Sequence, residues 1–337
     1  MITNIIKDHK KFEFQSLEDI KVKFNHYRKI IKNGLHKLTP NQFNDLKTEL
    51  NKFLNMELAF FSDTYPTKLF RITNNKKIVG EGQRLQNISQ LIGPPKGLSK
   101  MGRCNLPGES VFYAALDFET AVWETQPEVG DLITTSIWKI REGQKLDMHH
   151  IFHPKKTIVN KETQNAYEAW LKALPTFYGP IKENNPDLEE ILSEYYSFLT
   201  DQFMNVVHWK EKENYLVSAL TSSRYLQDTR DENGFKIEAI SYPSVKREYG
   251  LSNIAILNSL ALERLELQEI IVFKVGETNY TKEAKPNETL KIEGFELRFD
   301  DFDFENDKII YDGQKEINQV AEQHIKWIRQ KEKTNKS

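Results

Sequence analysis

The residues best suited to chemistry lie between positions 102 and 124. A glycine-flanked loop, GRCNLPG at 102–108, carries Arg103 and is followed by Tyr113 and Glu124. An arginine on such a loop can approach a phosphate closely and bind it with two parallel hydrogen bonds. A tyrosine face attracts cations, and a fixed carboxylate stabilises positive charge that develops during a reaction. Taken singly, these residues also have plain structural interpretations as a surface cation, a core aromatic and an exposed helical acid.

Segments downstream extend this pattern. YLVS at 215–218 begins a predicted helix, and a strand-like segment from Gly234 ends in ISYPS at 240–244, before Asn253. In this order and spacing, the loop, Tyr113, Glu124 and the later segments resemble the RES domain of bacterial toxins. The resemblance covers roughly residues 66–275.

The resemblance implies a fold like that of ADP-ribosyltransferases, in which two packed β-sheets hold NAD⁺ in a cleft. It also implies an enzyme that cleaves the nicotinamide–ribose bond of NAD⁺ by hydrolysis or phosphorolysis. Carried over residue by residue, the expected catalytic residues are Glu124, Arg103, Tyr113 and Ser244. NAD⁺ is then a consumed substrate, and no cofactor is expected.

The same resemblance assigns binding roles to side chains of this chain. Arg103 and Arg71 are expected to bind the pyrophosphate, and the face of Tyr113 to contact the nicotinamide cation. Glu124 would also hold the ribose hydroxyls, Ser244 would add a polar contact, and Asn105 would bind NAD⁺ from the loop. The family further implies a separate Xre-like antitoxin as a partner.

Two departures from the family leave other functions open. Cys104 occupies a position where the family usually has tryptophan, and an additional helical segment separates Glu124 from Ser244. The ADP-ribose could be transferred to a macromolecule instead of water or phosphate. A third possibility is a non-catalytic, partner-binding protein with a degenerate cleft.

The elements that must position these residues follow from periodicity and caps. Apolar residues at intervals of three and four predict a helix after the N-cap Ser16 and a second helix opened by Thr39-Pro40. KLFRITN, ESVFYAAL and LITTSIWKI predict strands, and Asp117 is the predicted N-cap of a helix over DFETAVWET. Further predicted elements are helices over 162–174, 187–207 and 215–227, strands over KIEAISYPS, LQEIIVFKV and LKIEGFELRF, and a helical tail from Ile317.

The predicted fold class is α+β, with a mixed β-sheet core resembling ADP-ribosyltransferases. We divide the chain into an N-terminal helical hairpin (1–64), a RES-like domain (65–275) with a helical insert at about 155–210, and a C-terminal extension (276–337). That extension is a strand and a helix packing on the core.

Composition narrows the class of protein further. With 47 basic and 49 acidic residues, the net charge of −2 gives no global field for nucleic acid or an anionic membrane. The single cysteine, Cys104, excludes an internal disulfide framework, and we expect a cytoplasmic protein without a membrane segment. The histidines of DMHHIFH (147–153) have poor spacing for a metal site, so no metal is expected. A homo-oligomer is left open.

Overall fold

The computed structural model describes residues 16–54, 61–62, 68–153, 155–157, 161, 164–165, 168, 187–208, 210–227, 237–245, 250–279 and 290–334. These residues form a mixed α+β structure, which confirms the predicted class. The chain divides into two compact units, each assembled from separate stretches of sequence. Unit 1 comprises Met1–Tyr65, Pro94–Phe112 and Gly143–Glu263, and unit 2 comprises Pro66–Gly93, Tyr113–Glu142 and Arg264–Ser337.

The described elements are as follows in chain order. The α-helices are α1 (Leu17–Asn33), α2 (Pro40–Phe53), α3 (Phe118–Thr125), α4 (Leu188–Phe203), α5 (Leu216–Gln227), α6 (Asn258–Arg264) and α7 (Gly313–Thr334). The strands are β1 (Phe61–Ser62), β2 (Leu69–Asn74), β3 (Val111–Ala115), β4 (Leu132–Ile140), β5 (Met148–His150), β6 (Ala239–Pro243), β7 (Leu251–Leu257), β8 (Leu265–Thr278), β9 (Leu290–Phe299), β10 (Phe302–Asp303) and β11 (Lys308–Ile309).

The N-terminal helices of unit 1 begin where the sequence predicts. The Ser16 side chain accepts a hydrogen bond from the backbone N of Asp19 at 3.2 Å. Thr39 forms a capping box with Gln42, and Pro40 occupies the first turn of α2. Each capping side chain bonds to a backbone N–H within the first turn of its helix. Local sequence is therefore sufficient to predict where these helices begin.

An aromatic cluster joins α1 to both α2 and α4 within unit 1. The rings of Phe24 and Phe53 meet edge to face with centroids 5.2 Å apart, and Phe24 stacks on Phe198 of α4 at 4.6 Å. Tyr27 donates a hydrogen bond to Glu49 of α2 at 2.9 Å. The helical hairpin is therefore packed against the helix that the sequence predicts within the insert.

The strands of unit 1 form a mixed arrangement. β1 and β6 flank β5, with β1 antiparallel and β6 parallel to it, and β7 pairs antiparallel with β6. The parallel pair places Met148 opposite Ala239 and His150 opposite Ser241. Every residue of β5 and β6 is buried, as expected for strands inside a core.

Unit 2 is built on antiparallel pairs. The order is β3-β2-β4-β8-β9, and β4 and β8 pair along nine positions from Leu132 to Ile140. Helix α3 covers one face by burying Ala121 and Val122 against a cluster that includes Ile72 and Phe273. This packing fixes the position of α3 on the sheet of unit 2.

Most predicted elements agree with the structure, and their ends differ where sequence signals are weak. β2, β3, β4, β9, α3 and α5 lie within or on the predicted segments. β8 is longer than LQEIIVFKV, and α7 begins at Gly313, ahead of the predicted Ile317. The first 15 residues, most of the helix predicted over 162–174, and Gly234 lie outside the described residues. Among the described helices, none has the length and hydropathy needed to cross a bilayer.

Candidate functional site

The glycine-flanked loop 102–108 lies in unit 1 and is closed by its own backbone and by Asn105. The backbone N of Gly102 donates to the carbonyl of Asn105 at 3.1 Å. The Asn105 side-chain nitrogen donates to the carbonyls of Lys100 at 2.8 Å and Leu106 at 2.9 Å, and the residue is buried. Both amide protons of Asn105 are therefore used to shape the loop.

Arg103 extends from this loop to the end of α4. It is only 9% exposed, and its Nη1 atom donates hydrogen bonds to the carbonyls of Phe203 and, at 3.1 Å, Asn205. Its guanidinium lies over the ring of Tyr215, 5.0 Å from the centroid. Carbonyls at a helix C-terminus carry partial negative charge, so a cation is stabilising there. Arg103 consequently anchors the loop to α4, and its hydrogen bonds to the described residues all leave from Nη1.

Cys104 is fully buried in unit 1. Burial raises the pKa of its thiol to about 12, against the opposing effects of Ser222, Arg103 and Tyr242 nearby. The thiol is therefore neutral at physiological pH and is not a nucleophile. Its contact with Tyr242 ties the loop to β6.

Glu109 is a residue of this loop region that the sequence reasoning missed. It accepts hydrogen bonds from the backbone N of Leu106 at 2.7 Å and from the Ser223 hydroxyl at 2.5 Å. One carboxylate thus joins the loop to α5. The signal available in the sequence was its position, directly after the final glycine of the loop, where a carboxylate can accept a turn's backbone N–H.

Ser244 follows the last residue of β6 in unit 1. It has no exposed surface, and its backbone N donates to the carbonyl of Gly250 at 2.8 Å. Tyr242, two residues earlier, contacts the Cys104 thiol. Unit 1 therefore brings the end of β6 and the Arg103 loop into the same region.

Arg71 and Tyr113 meet in unit 2, where β2 and β3 separate. The two strands pair at Phe70 and Ala115. Beyond that point, the Arg71 Nη1 atom donates to the carbonyl of Tyr113 at 2.8 Å. Burial lowers the pKa of Arg71 to about 10, and the guanidinium stays charged at neutral pH. Arg71 thus takes the place of a strand–strand hydrogen bond at this fork.

Glu124 lies in the last turn of α3, on the exposed side of that helix. Asp117 caps the helix by accepting hydrogen bonds from the backbone N and the hydroxyl of Thr120, both at 2.8 Å. Val122 and Ala121 are buried in the core of unit 2. The helix is therefore fixed at its start and along its inner face, while the carboxylate of Glu124 faces outward.

The six predicted site residues divide between the units. Arg103, Asn105 and Ser244 belong to unit 1, and Arg71, Tyr113 and Glu124 belong to unit 2. Within unit 2, Phe70 and Ile72 contact the cluster under α3. Because neighbouring residues of a strand point to opposite faces, Arg71 faces away from α3 and Tyr113 shares the face of Ala115. Unit 2 therefore groups Tyr113 with the helix that carries Glu124, and places Arg71 on the other face.

The histidines of DMHHIFH lie apart from the loop 102–108 in sequence and have different surroundings from one another. His149 is buried against the ring of Tyr225, with centroids 4.4 Å apart. Burial lowers the pKa of His150 to about 4, and His153 contacts the Ser193 hydroxyl at 3.1 Å. Within the described ranges, no three or more histidine, cysteine or acidic side chains are grouped to hold a metal ion.

Comparison of the chain with protein-family models, with curated proteins and with solved structures finds no match.

Proposed function

We propose that this protein cleaves the nicotinamide–ribose bond of NAD⁺, with water or phosphate as the acceptor. The observation that carries the proposal is the position of Glu124, an outward-facing carboxylate on a capped helix that is anchored in the core. Tyr113 lies on β3, which precedes that helix in the chain. It shares a sheet face with Ala115, which belongs to the core cluster under the helix. A rigidly held acid, with an aromatic residue on the sheet face that its helix covers, suits a reaction that develops positive charge on ribose.

The chemistry requires few groups. Nicotinamide is bound to ribose as a pyridinium, so it takes the electrons of the breaking bond and departs neutral without receiving a proton. The ribose cation that remains is stabilised by the Glu124 carboxylate and then forms a bond either to phosphate or to water, which loses a proton to the solvent. Tyr113, which belongs to the same unit as Glu124, contacts the nicotinamide.

Partner binding without catalysis is the second candidate, and a specific observation favours it. The Nη1 atom of Arg103 and both amide protons of Asn105 are already donated to backbone carbonyls of unit 1. A loop whose polar groups hold the protein together has fewer groups to offer a ligand. Under this alternative, the Xre-like antitoxin implied by the family would be a candidate partner.

The test is to incubate the purified chain with NAD⁺ and measure nicotinamide by chromatography. Separate reactions contain buffer alone, phosphate, or a cell extract from which small molecules have been removed. We expect nicotinamide in the first two reactions, with ADP-ribose or its phosphorylated form as the second product. Release only with extract, together with ADP-ribose attached to a macromolecule, would establish the transferase alternative. No release under any condition would overturn the proposal in favour of partner binding.

Glu124→Gln should abolish nicotinamide release, because it removes the negative charge at nearly constant shape. Glu119→Gln is the matched control, since it removes an exposed carboxylate from the first turn of the same helix. We expect the control to retain the activity of the unmodified protein. Equal activity in the two variants would remove Glu124 from the mechanism.

A further inference from the structure

The outer edge of β9 is covered by two glutamines of helix α7, all within unit 2. The Gln319 side chain accepts a hydrogen bond from the backbone N of Arg298 at 2.7 Å and donates to its carbonyl at 2.6 Å. Gln323 does the same for Glu296, at 3.2 Å and 2.6 Å. Since β9 is last in the strand order of the described residues, these backbone groups face away from β8.

The two glutamines imitate a neighbouring strand. A side-chain amide presents one donor and one acceptor, as a peptide group does. Residues four apart on a helix are separated by about 6 Å along its axis, close to the roughly 6.8 Å between alternate residues of a strand. The spacing of Gln319 and Gln323 therefore matches that of Glu296 and Arg298, and α7 occupies the position of the next strand.

Polar contacts hold this helix on the strand. Arg84 pairs with Glu316 through two hydrogen bonds of 2.7 and 2.9 Å, and Lys315 pairs with Asp300. Ile317 is 63% exposed and Ile325 is 48% exposed, so apolar residues of α7 face solvent. The Lys315–Asp300 pair is exposed and contributes little net stability, so the part-buried Arg84–Glu316 pair and the two glutamines hold the cover in place.

We propose that α7 is a cap on a self-pairing edge, and that β9 pairs with β9 of a second copy when the cap is released. The pairing is antiparallel and centred on Leu297. In this register Glu296 lies opposite Arg298 of the second copy, and Arg298 lies opposite its Glu296. Arg298 now pairs with Glu296 of its own strand and with Glu269 of β8, and in the paired state it exchanges the first of these for Glu296 of the second copy, which places opposite charges directly across the two strands.

The register also gives hydrogen-bond partners to the outward-facing backbone groups of β9. In an antiparallel ladder, directly opposite residues alternate between pairs that exchange hydrogen bonds and pairs that do not. Glu296 and Arg298 already direct their N–H and C=O groups outward, so they form the hydrogen-bonded pairs, with Leu297 between them. The four groups now bound by Gln319 and Gln323 would all bind the second copy. This inference does not depend on the proposed NAD⁺ chemistry.

The first test uses the full chain with Gln319→Ala and Gln323→Ala together. Sedimentation velocity should show a concentration-dependent shift toward twice the mass of the unmodified species. Circular dichroism checks that the double variant is folded. A folded double variant that sediments like the unmodified protein at every concentration would overturn the proposal.

The second test identifies the register. Leu297 faces its counterpart across a pair without hydrogen bonds, where Cα atoms are about 4.5 Å apart and a disulfide can form. Leu297→Cys in the double variant should form a disulfide-linked dimer with oxidised glutathione, and far less of it when the glutamines are intact. Lys291→Cys, which has no counterpart in this register, is the matched control, and the native Cys104 is buried. Equal cross-linking at positions 291 and 297 would show unspecific association and refute the register.

The third test uses charge. Glu296→Arg in the double variant places like charges opposite each other in both pairs, so the doubled mass should be lost. Adding Arg298→Glu restores opposite charges and should recover association. Association that persists in the Glu296→Arg protein, or fails to return in the exchanged protein, would contradict the proposed pairing.

Discussion

The loop 102–108 in unit 1 and the β3–α3 segment in unit 2 carry neighbouring parts of one sequence motif, yet their polar residues are used differently. In the loop, Arg103, Asn105 and Cys104 are all buried, and the first two donate to backbone carbonyls. In the β3–α3 segment, Asp117 holds the helix and Glu124 faces outward. Polar residues that are close together in the sequence can therefore be divided into those that build the scaffold and those that face outward.

The two arginines predicted to bind phosphate sharpen this comparison. In both, the Nη1 atom donates a hydrogen bond to a backbone carbonyl. The carbonyl lies just after α4 for Arg103, and at the point where β2 and β3 separate for Arg71. Arg103 also has the ring of Tyr215 beneath it, so several separate contacts in unit 1 depend on its guanidinium. We therefore expect the largest structural effect from a change at Arg103.

Arg103→Ala should lower the free energy of unfolding of unit 1 by about 3 kcal/mol, because two charge-assisted hydrogen bonds are lost and the carbonyls of Phe203 and Asn205 lose a donor. Urea denaturation followed by circular dichroism measures the change. Lys100→Ala, at an exposed position beside the same loop, is the control and should have little effect. If both variants unfold at the same urea concentration, Arg103 is not an anchor and its charge is available to a ligand.

The second prediction concerns the stability of unit 1 at acid pH. Burial lowers the pKa of His150 from its ordinary 6.5 to about 4, so between these values the unfolded chain binds a proton that the folded chain does not. Stability therefore falls as the pH drops from 6.5 to 4, by about 2 kcal/mol at pH 5 and about 3 kcal/mol at pH 4. Hydrogen exchange should show the loss in β5 and β6 of unit 1.

The control for this prediction is the same substitution at two histidines. His150→Leu should reduce the acid sensitivity of β5 and β6, whereas His324→Leu, at an exposed position of α7, should leave it unchanged. Exchange rates in β8 and β9 of unit 2 serve as an internal reference. Acid sensitivity that is equal in both units, or unaffected by His150→Leu, would contradict the assignment to His150.

The third prediction is a smaller effect in unit 2. Asp117→Ala removes the cap from the N-terminus of α3 and should cost about 1 kcal/mol. Since α3 positions Glu124, nicotinamide release should fall as well. Asp117→Asn keeps an oxygen that can accept from Thr120 and should restore both stability and activity. Equal losses in the alanine and asparagine variants would show that the charge matters and the cap does not.

These contrasts also explain what the sequence could predict. Ser16, Thr39 and Asp117 act on residues within the next turn, so their helices were found from local signals. Arg103 binds a carbonyl 100 residues away, and no local pattern indicates that partner.

Helix α7 shows that local sequence signals have the same limit for a whole secondary-structure element. Gln319 and Gln323 face β9 while Ile317 and Ile325 are exposed, which is the reverse of the usual amphipathic arrangement. A pattern of apolar residues predicts that a helix forms there. The face that it buries depends on the edge of β9, which the pattern does not contain.

The smallest structural effect is expected at Glu124, where the functional effect should be greatest. Because the side chain is exposed, Glu124→Gln should change the free energy of unfolding by less than about 0.5 kcal/mol. The urea midpoint and the nicotinamide release should both be measured for Glu124→Gln and Arg103→Ala. The two residues can then be compared in their effects on stability and on activity. A stable, inactive Glu124→Gln protein beside a destabilised Arg103→Ala protein is the expected pair of results. A large loss of stability in Glu124→Gln would instead make Glu124 part of the scaffold, and the difference between the two segments would disappear.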